Sequence, residues 1–257
     1  MKFGGLSNQG IGLMAVAGSN IDPSQLPSHS NLAFHRNPEL ASAAIHAVGR
    51  ARLVSYVERG ILPPQNLRDH HVHCDVRDDH CIHLILYRGN YFLGSIRCQF
   101  HNKTPYAECP IPLFREMMLR SGVSEGELYH VTSLMEAGND NSSFYMETSG
   151  WLSNPDVKRS PSIAMTLPAA VWGLATAFEE FYGISTLRAS NRAAVMLNQM
   201  GGESIYHNGS EIKFNDPYYR GPVQLMRMHS HRYDPTIRPA VQGCAEMIAA
   251  SGIITVS

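Results

Sequence analysis

Between Pro38 and Gly60 the apolar residues Leu40, Ile45, Val48, Leu53 and Val57 recur at roughly helical spacing, with Asn37 placed to cap the start and Gly60 to stop the turn. The pattern predicts an amphipathic helix. After Pro63-Pro64 three β-like runs follow, His71–Asp75, Ile82–Arg88 and Tyr91–Phe100, and the pair Gly89-Asn90 joins the last two as a hairpin. Pro110–Leu119 reads as a short helix. Glu127–Met135 alternates and holds enough β-branched residues for a strand, and Glu136–Pro161 reads as a long loop.

Thr166-Leu167-Pro168 opens a further helix to about Tyr182, because proline is favoured in a first turn and Gly183 stands at the stop. Val171, Leu174, Ala175 and Phe178 would form its buried face. Ile184–Arg188 is then a strand, Asn191–Met200 a helix ended by Gly201-Gly202, Glu203–His207 and Tyr219–Met228 two more strands, and 236–250 a terminal helix. Residues 1–37 mix Gly, Ser, Asn and Pro without sustained period and read as an irregular lead. The order predicts a mixed α/β (α+β) fold: a mostly antiparallel twisted sheet, one parallel βαβ unit near Glu127–Arg188, and flanking helices.

The chain of 257 residues, 44% of them hydrophobic and 17% charged, suits one globular domain with terminal extensions. Its formal net charge of -1 supplies no general field for nucleic acid. The five cysteines, Cys74, Cys81, Cys98, Cys109 and Cys244, are odd in number and lack CxxC spacing, which is the pattern of reduced thiols in a cytoplasm. Ile11–Ala17 imitates the end of a signal peptide, yet Ser7, Asn8 and Gln9 interrupt the apolar stretch that such a peptide needs, so a cytoplasmic location is expected. No run of ~18 apolar residues occurs, and no transmembrane helix is expected.

Four short motifs stand in order: the acidic pair Asp75 and Asp78 before a strand; Gly94-Ser95-Ile96-Arg97 on a strand; Thr104-Pro105-Tyr106 followed by Phe114; and Glu127-Leu128-Tyr129-His130. Together they make the stretch from Arg52 to Met228 resemble the GNAT acyltransferases, and within them the acyl-homoserine-lactone synthases and long-chain N-acyl-amino-acid synthases. Those proteins carry a D-x-x-D pair, a glycine-x-x-arginine strand, a proline-tyrosine turn with a later phenylalanine, and an E-L-S-R strand. His130 stands where the signal synthases usually have arginine, and their N-terminal tryptophan segment is not recognisable here. The pyrophosphate loop of coenzyme-A-dependent relatives is absent between Leu134 and Pro168.

The resemblance implies a GNAT-like domain over residues 38–230 and a helical extension over 231–257. It implies transfer of a medium or long acyl chain to the amine of an amino acid or similar small molecule, without a covalent enzyme intermediate. Acyl carrier protein is the preferred donor partner, acyl coenzyme A the other, and no cofactor or metal is resident. Glu127 would take the ammonium proton, with His130 beside it. Asp75 and Asp78 would orient the ammonium, while Arg97 either holds a substrate carboxylate or ties the acidic pair into a structural ion network. A bulged strand over Thr132, Ser133 and Leu134 would polarise the thioester carbonyl through backbone N–H groups. The start of the helix at Thr166 would receive the phosphopantetheine phosphate, with Lys158 and Arg159 upstream meeting the carrier protein.

Two rivals remain open. The run Asp69-His70-His71-Val72-His73-Cys74-Asp75, with His80 and His83 nearby, has the alternate spacing of a metal site, and His71, His73 and Asp75 would serve a metal-dependent hydrolase. Val76 stands in place of the last histidine of that pattern, and too little chain follows for a large barrel. A GNAT-like binding or regulatory module without turnover is the other. Cys98, next to Arg97, is either an activated thiolate or an apolar filler.

Overall fold

The computed structural model describes residues 10–23, 26, 32–69, 72–73, 76–102, 119, 121–138, 144–154, 161–177, 181–188, 192–216, 221–229 and 232–256. The elements run β1 (Gly12–Ala17), β2 (Phe34–Arg36), α1 (Pro38–Glu58), α2 (Asn66–Asp69), a 3-10 turn (Val76–His80), β3 (Ile82–Arg88) and β4 (Tyr91–Asn102). They continue with α3 (Glu125–Gly138), β5 (Phe144–Ser153), α4 (Pro161–Thr176), β6 (Phe181–Arg188) and α5 (Arg192–Gln199). The short strands β7 (Glu203–Ser204), β8 (Tyr206–His207), β9 (Ser210–Glu211) and β10 (Lys213–Asp216) lead into β11 (Gly221–His229), α6 (Arg238–Ser251) and β12 (Ile253–Thr255). The chain gathers into two compact units, one of residues 1–99, 149–178 and 235–257, the other of 100–148 and 179–234.

In the first unit β1 lies between β3, to which it is antiparallel, and β12, to which it is parallel; β12 then pairs in parallel with β2. The hairpin β3–β4 forms on the expected turn, with Gly89 at φ +57°. Helix α1 starts at the expected cap, where the Asn37 side chain accepts from the Leu40 backbone N–H. Its buried Ala41 and Val48 meet Val16 and Ile85 of the sheet. Helices α4 and α6 pack on each other, α4 also against β3 and α6 against β1. Trp172 of α4 is wholly buried.

The expected irregular lead is corrected here. Residues 12–17 form a central strand, and Ala15, Val16 and Ala17 have no exposure at all. A strand covered on both faces reads as an unbroken apolar run rather than an alternating one, so its period is invisible in the sequence. The Gly, Ser and Asn content belongs to the flanks.

In the second unit β6 pairs in parallel with the Phe144–Thr148 part of β5, and antiparallel with β11, which also carries β10 and β7. Val123, Leu128 and Val131 pack against Ile184, Val223 and Leu225 in one core. The expected strand over Glu127–Met135 is therefore the helix α3. Leu128, Val131 and Leu134 lie three residues apart on its inner side, and Ser124 with Glu127 forms the capping box that starts it. The strand of the parallel unit is instead β5, inside the span read as a loop. Helix α4 begins five residues earlier than expected, with Pro161 in the first turn and Pro168 inside it.

Candidate functional site

The first unit contains a buried polar network built from five elements. Arg52 of α1 grips Asp78 with both ends of its guanidinium, Nη1 donating to Oδ2 at 2.6 Å and Nη2 to Oδ1 at 2.9 Å. Arg97 of β4 donates from Nη1 to the same Oδ1 at 3.0 Å and from Nε to Ser149 Oγ of β5 at 2.7 Å. His83 of β3, directly opposite Arg97 in the ladder, has its Nε2 3.1 Å from the Asp78 carbonyl oxygen. Asp78 is 2% exposed, Arg97 5% and His83 0%. Charges this far from water persist only when paired and hydrogen-bonded, and both carboxylate oxygens of Asp78 are so engaged.

Local sequence explains how Asp78 comes to sit there. The 3-10 turn that carries it closes on the turn after β1, where the Gly18 N–H donates to Cys81 O, Asn20 N–H to Asp79 O, and Ser19 Oγ to Asp79 Oδ1. A Cβ on Gly18 would lie 2.3 Å from the Asp78 carbonyl oxygen, so only glycine admits that approach. At the other side of the network Gly150 interrupts β5 in the left-handed region, φ +62°, and a Cβ there would lie 3.2 Å from Arg97 Nε. A strand with one residue at positive φ is locally kinked, and its backbone groups are re-aimed. The part of β5 that belongs to the second unit carries Glu147, a buried carboxylate.

Of the expected site residues, Asp78 and Arg97 are brought together, in the ion network that was the alternative to direct ammonium binding. Asp75, Lys158 and Arg159 lie outside the described residues, as do Thr104, Pro105, Tyr106 and Phe114. Glu127 and His130 are in the second unit, on α3. The Glu127 carboxylate accepts from the Ser124 N–H at 2.8 Å and from Ser124 Oγ at 2.7 Å. Those bonds hold its pKa below the ordinary value, as befits a cap. The His130 ring lies 5.1 Å from that of His207.

Thr132, Ser133 and Leu134 are interior residues of α3, where the hydroxyls of Thr132 and Ser133 bond back to Leu128 O and Tyr129 O. They form no strand bulge; the positive-φ position is Gly150. Thr166 lies within α4 rather than at its start, so its backbone N–H is spent inside the helix.

Glu127→Ala should weaken folding by ~0.5–2 kcal/mol, the usual cost of a lost cap, and leave any turnover unchanged. Because its folded-state pKa is lowered, the contribution is present at neutral pH and is lost as pH falls below the ordinary glutamate value. Urea titrations of both proteins at pH 7 and pH 3.5 check this: the difference between them should shrink at the lower pH.

Burial pushes the Cys98 thiol well above its ordinary pKa, and neighbouring Cys81 adds to the shift. Cys98 is therefore a neutral filler of the sheet and not a thiolate. His71 and Asp75 fall outside the described residues. The His73 ring lies 5.3 Å from that of Tyr56, tilted by 60°, and His80 is exposed beside Asn20. Among the described residues no group of three His, Cys, Asp or Glu side chains is arranged to hold a metal, and no helix is long and apolar enough to cross a membrane.

No family model and no curated protein matches the chain. Solved structures do. A CoA-dependent acyl-homoserine lactone synthase, BjaI, with SAM and isopentyl-CoA, superposes with a TM-score of 0.51 at 12% identity over 96% of this chain and 93% of that one. The AHL synthase LasI gives 0.49 at 9% identity, over 91% and 95%. FeeM, an N-acyl amino acid synthase from uncultured soil microbes, gives 0.45 at 11%, over 85% and 92%. The chain has a GNAT-like fold, a mostly antiparallel sheet with parallel pairs and flanking helices. Its architecture resembles that of the acyl-homoserine lactone synthase BjaI.

Proposed function

We propose that this chain is an N-acyltransferase that moves an acyl group from a carrier-protein or coenzyme A thioester to the amine of an amino acid or related small molecule. The supporting observation is the guanidinium of Arg97, buried and fixed from two sides by Asp78 and Ser149, beside the kink at Gly150. Such a network holds the Ser149–Trp151 stretch of β5 in one geometry, and a kinked strand presents backbone N–H groups to a developing oxyanion. The amine attacks the thioester carbonyl carbon, the tetrahedral oxyanion collapses, the C–S bond breaks, and the thiolate leaves and takes up a proton. The ammonium must first lose a proton, and Glu147 is the carboxylate on that strand to receive it, directly or through water. In this reading Glu147-Thr148-Ser149 takes the place that the sequence motif gave to Glu127-Leu128-Tyr129. The missing pyrophosphate loop favours a carrier-protein donor.

The test is release of free thiol from acyl carrier proteins and acyl coenzymes A of several chain lengths, each with a mixture of amino acids and amines, followed by mass spectrometry of the product. An acylated amine, formed faster from the carrier protein, is the expected result. Absence of thiol release with every donor and amine would sink the reading.

A further inference from the structure

We propose that His83, as a neutral imidazole with its proton on Nε2, is a positioning residue that keeps Asp78 between the two arginines, and that protonating it releases the hold of Arg97 on Ser149. The inference rests on the acyl-transfer reading for its activity arm only. His83 lies 3.1 Å from the Asp78 carbonyl oxygen, which can only accept, so Nε2 carries the hydrogen. The ring's other nitrogen, Nδ1, is buried and has no hydrogen-bond partner among the described residues. A neutral ring leaves there a bare acceptor, which is tolerable. A protonated ring would bury an N–H without an acceptor and add a third cation around one carboxylate.

Among the described residues, the charged groups facing the ring come from three elements: Asp78, whose Oδ1 is 3.8 Å from Nε2, with Arg52 of α1 and Arg97 of β4. On its remaining side, β1 presents Val16, which does not titrate. Burial, the largest influence, lowers the His83 pKa from 6.5, Asp78 opposes that, and both arginines reinforce it. The unfolded chain therefore binds the proton first, and stability is lost as pH falls from the ordinary histidine value through the folded one.

Three measurements test this on the full chain. Histidine nitrogen NMR of the wild-type protein at pH 7.5 should show one ring protonated on Nε2 alone and titrating below the ordinary range. His83→Gln places an uncharged N–H donor near the Nε2 position. It should restore most of the thiol-release activity lost in His83→Ala at pH 8, and its unfolding midpoint should hardly move between pH 7.5 and 5.5. The wild-type midpoint should fall over that interval, and its kcat/KM should drop by about tenfold per pH unit below the His83 titration. The role is overturned if His83 titrates at its ordinary value, if its proton is on Nδ1, or if His83→Gln keeps the wild-type pH dependence. Should neither variant fold, the NMR tautomer decides. Should no donor release thiol, the transferase reading fails, while the NMR and unfolding arms still decide the place of His83.

Discussion

Asp78→Ala should lower the free energy of unfolding by ~3–5 kcal/mol, the usual cost of removing one partner from a buried ion pair. The carboxylate lies between two guanidiniums, Arg52 with two bonds to it and Arg97 with one. Its loss leaves two like charges close together in a site nearly closed to water. A surface pair of the same geometry would be worth ~1 kcal/mol or less, and the near-zero exposure of the network is what separates the two cases. Urea denaturation should show a lower midpoint with an unchanged slope, since the native and unfolded states keep their compactness. Asp78→Asn, which keeps the shape but sets amide hydrogens against an arginine, should be destabilised almost as much. A loss below ~1 kcal/mol in Asp78→Ala would mean that the arginines are held by something else, and the network would cease to explain the position of Ser149.

The parts of this architecture that were legible in the sequence are those where local preference and tertiary burial agree. Helix α1 has a cap, a period and a stop, and the hairpin β3–β4 has a turn pair between two apolar runs; both formed where expected. The pairing of Asp78 with Arg97 was also legible, because a family pattern tied them together. Two strands were lost for opposite reasons. β1 is buried on both faces and shows no alternation, so its apolar run resembled a processing signal. β5 carries Glu147, Thr148, Ser149 and Gly150 in its middle, and polar residues with a glycine read as loop until a buried arginine is seen to bind one of them. The strand expected over Glu127–Met135 failed in the other direction. Val131 and Thr132 argued for a strand, whereas Ser124-x-x-Glu127 before an apolar period of three is a helix-start pattern, and that signal outweighs β-branching when the helix can bury one face. Arg52 and His83 were beyond sequence reasoning, since nothing local says that an arginine on an amphipathic helix and a histidine on a strand meet one aspartate.

The proposal that Glu147, and not Glu127, is the base has a measurable consequence. Glu147→Gln keeps the size of a buried side chain and removes its ability to take a proton, so in folded protein of this variant thiol release should fall by about 10²–10⁴-fold. The loss belongs in kcat more than in KM, because an interaction made in the transition state is what disappears. Its pH profile should also change. A carboxylate base gives an acidic limb, and in the glutamine variant the remaining rate should follow the deprotonation of the free amine, rising with pH toward the amine's own titration. Glu127→Gln is the matched control. Both glutamates head one of the two competing motifs, yet one caps a helix and the other lies buried on the kinked strand. If Glu147→Gln released thiol at the wild-type rate while Glu127→Gln did not, the sequence-level assignment would stand and β5 would lose its place in the chemistry.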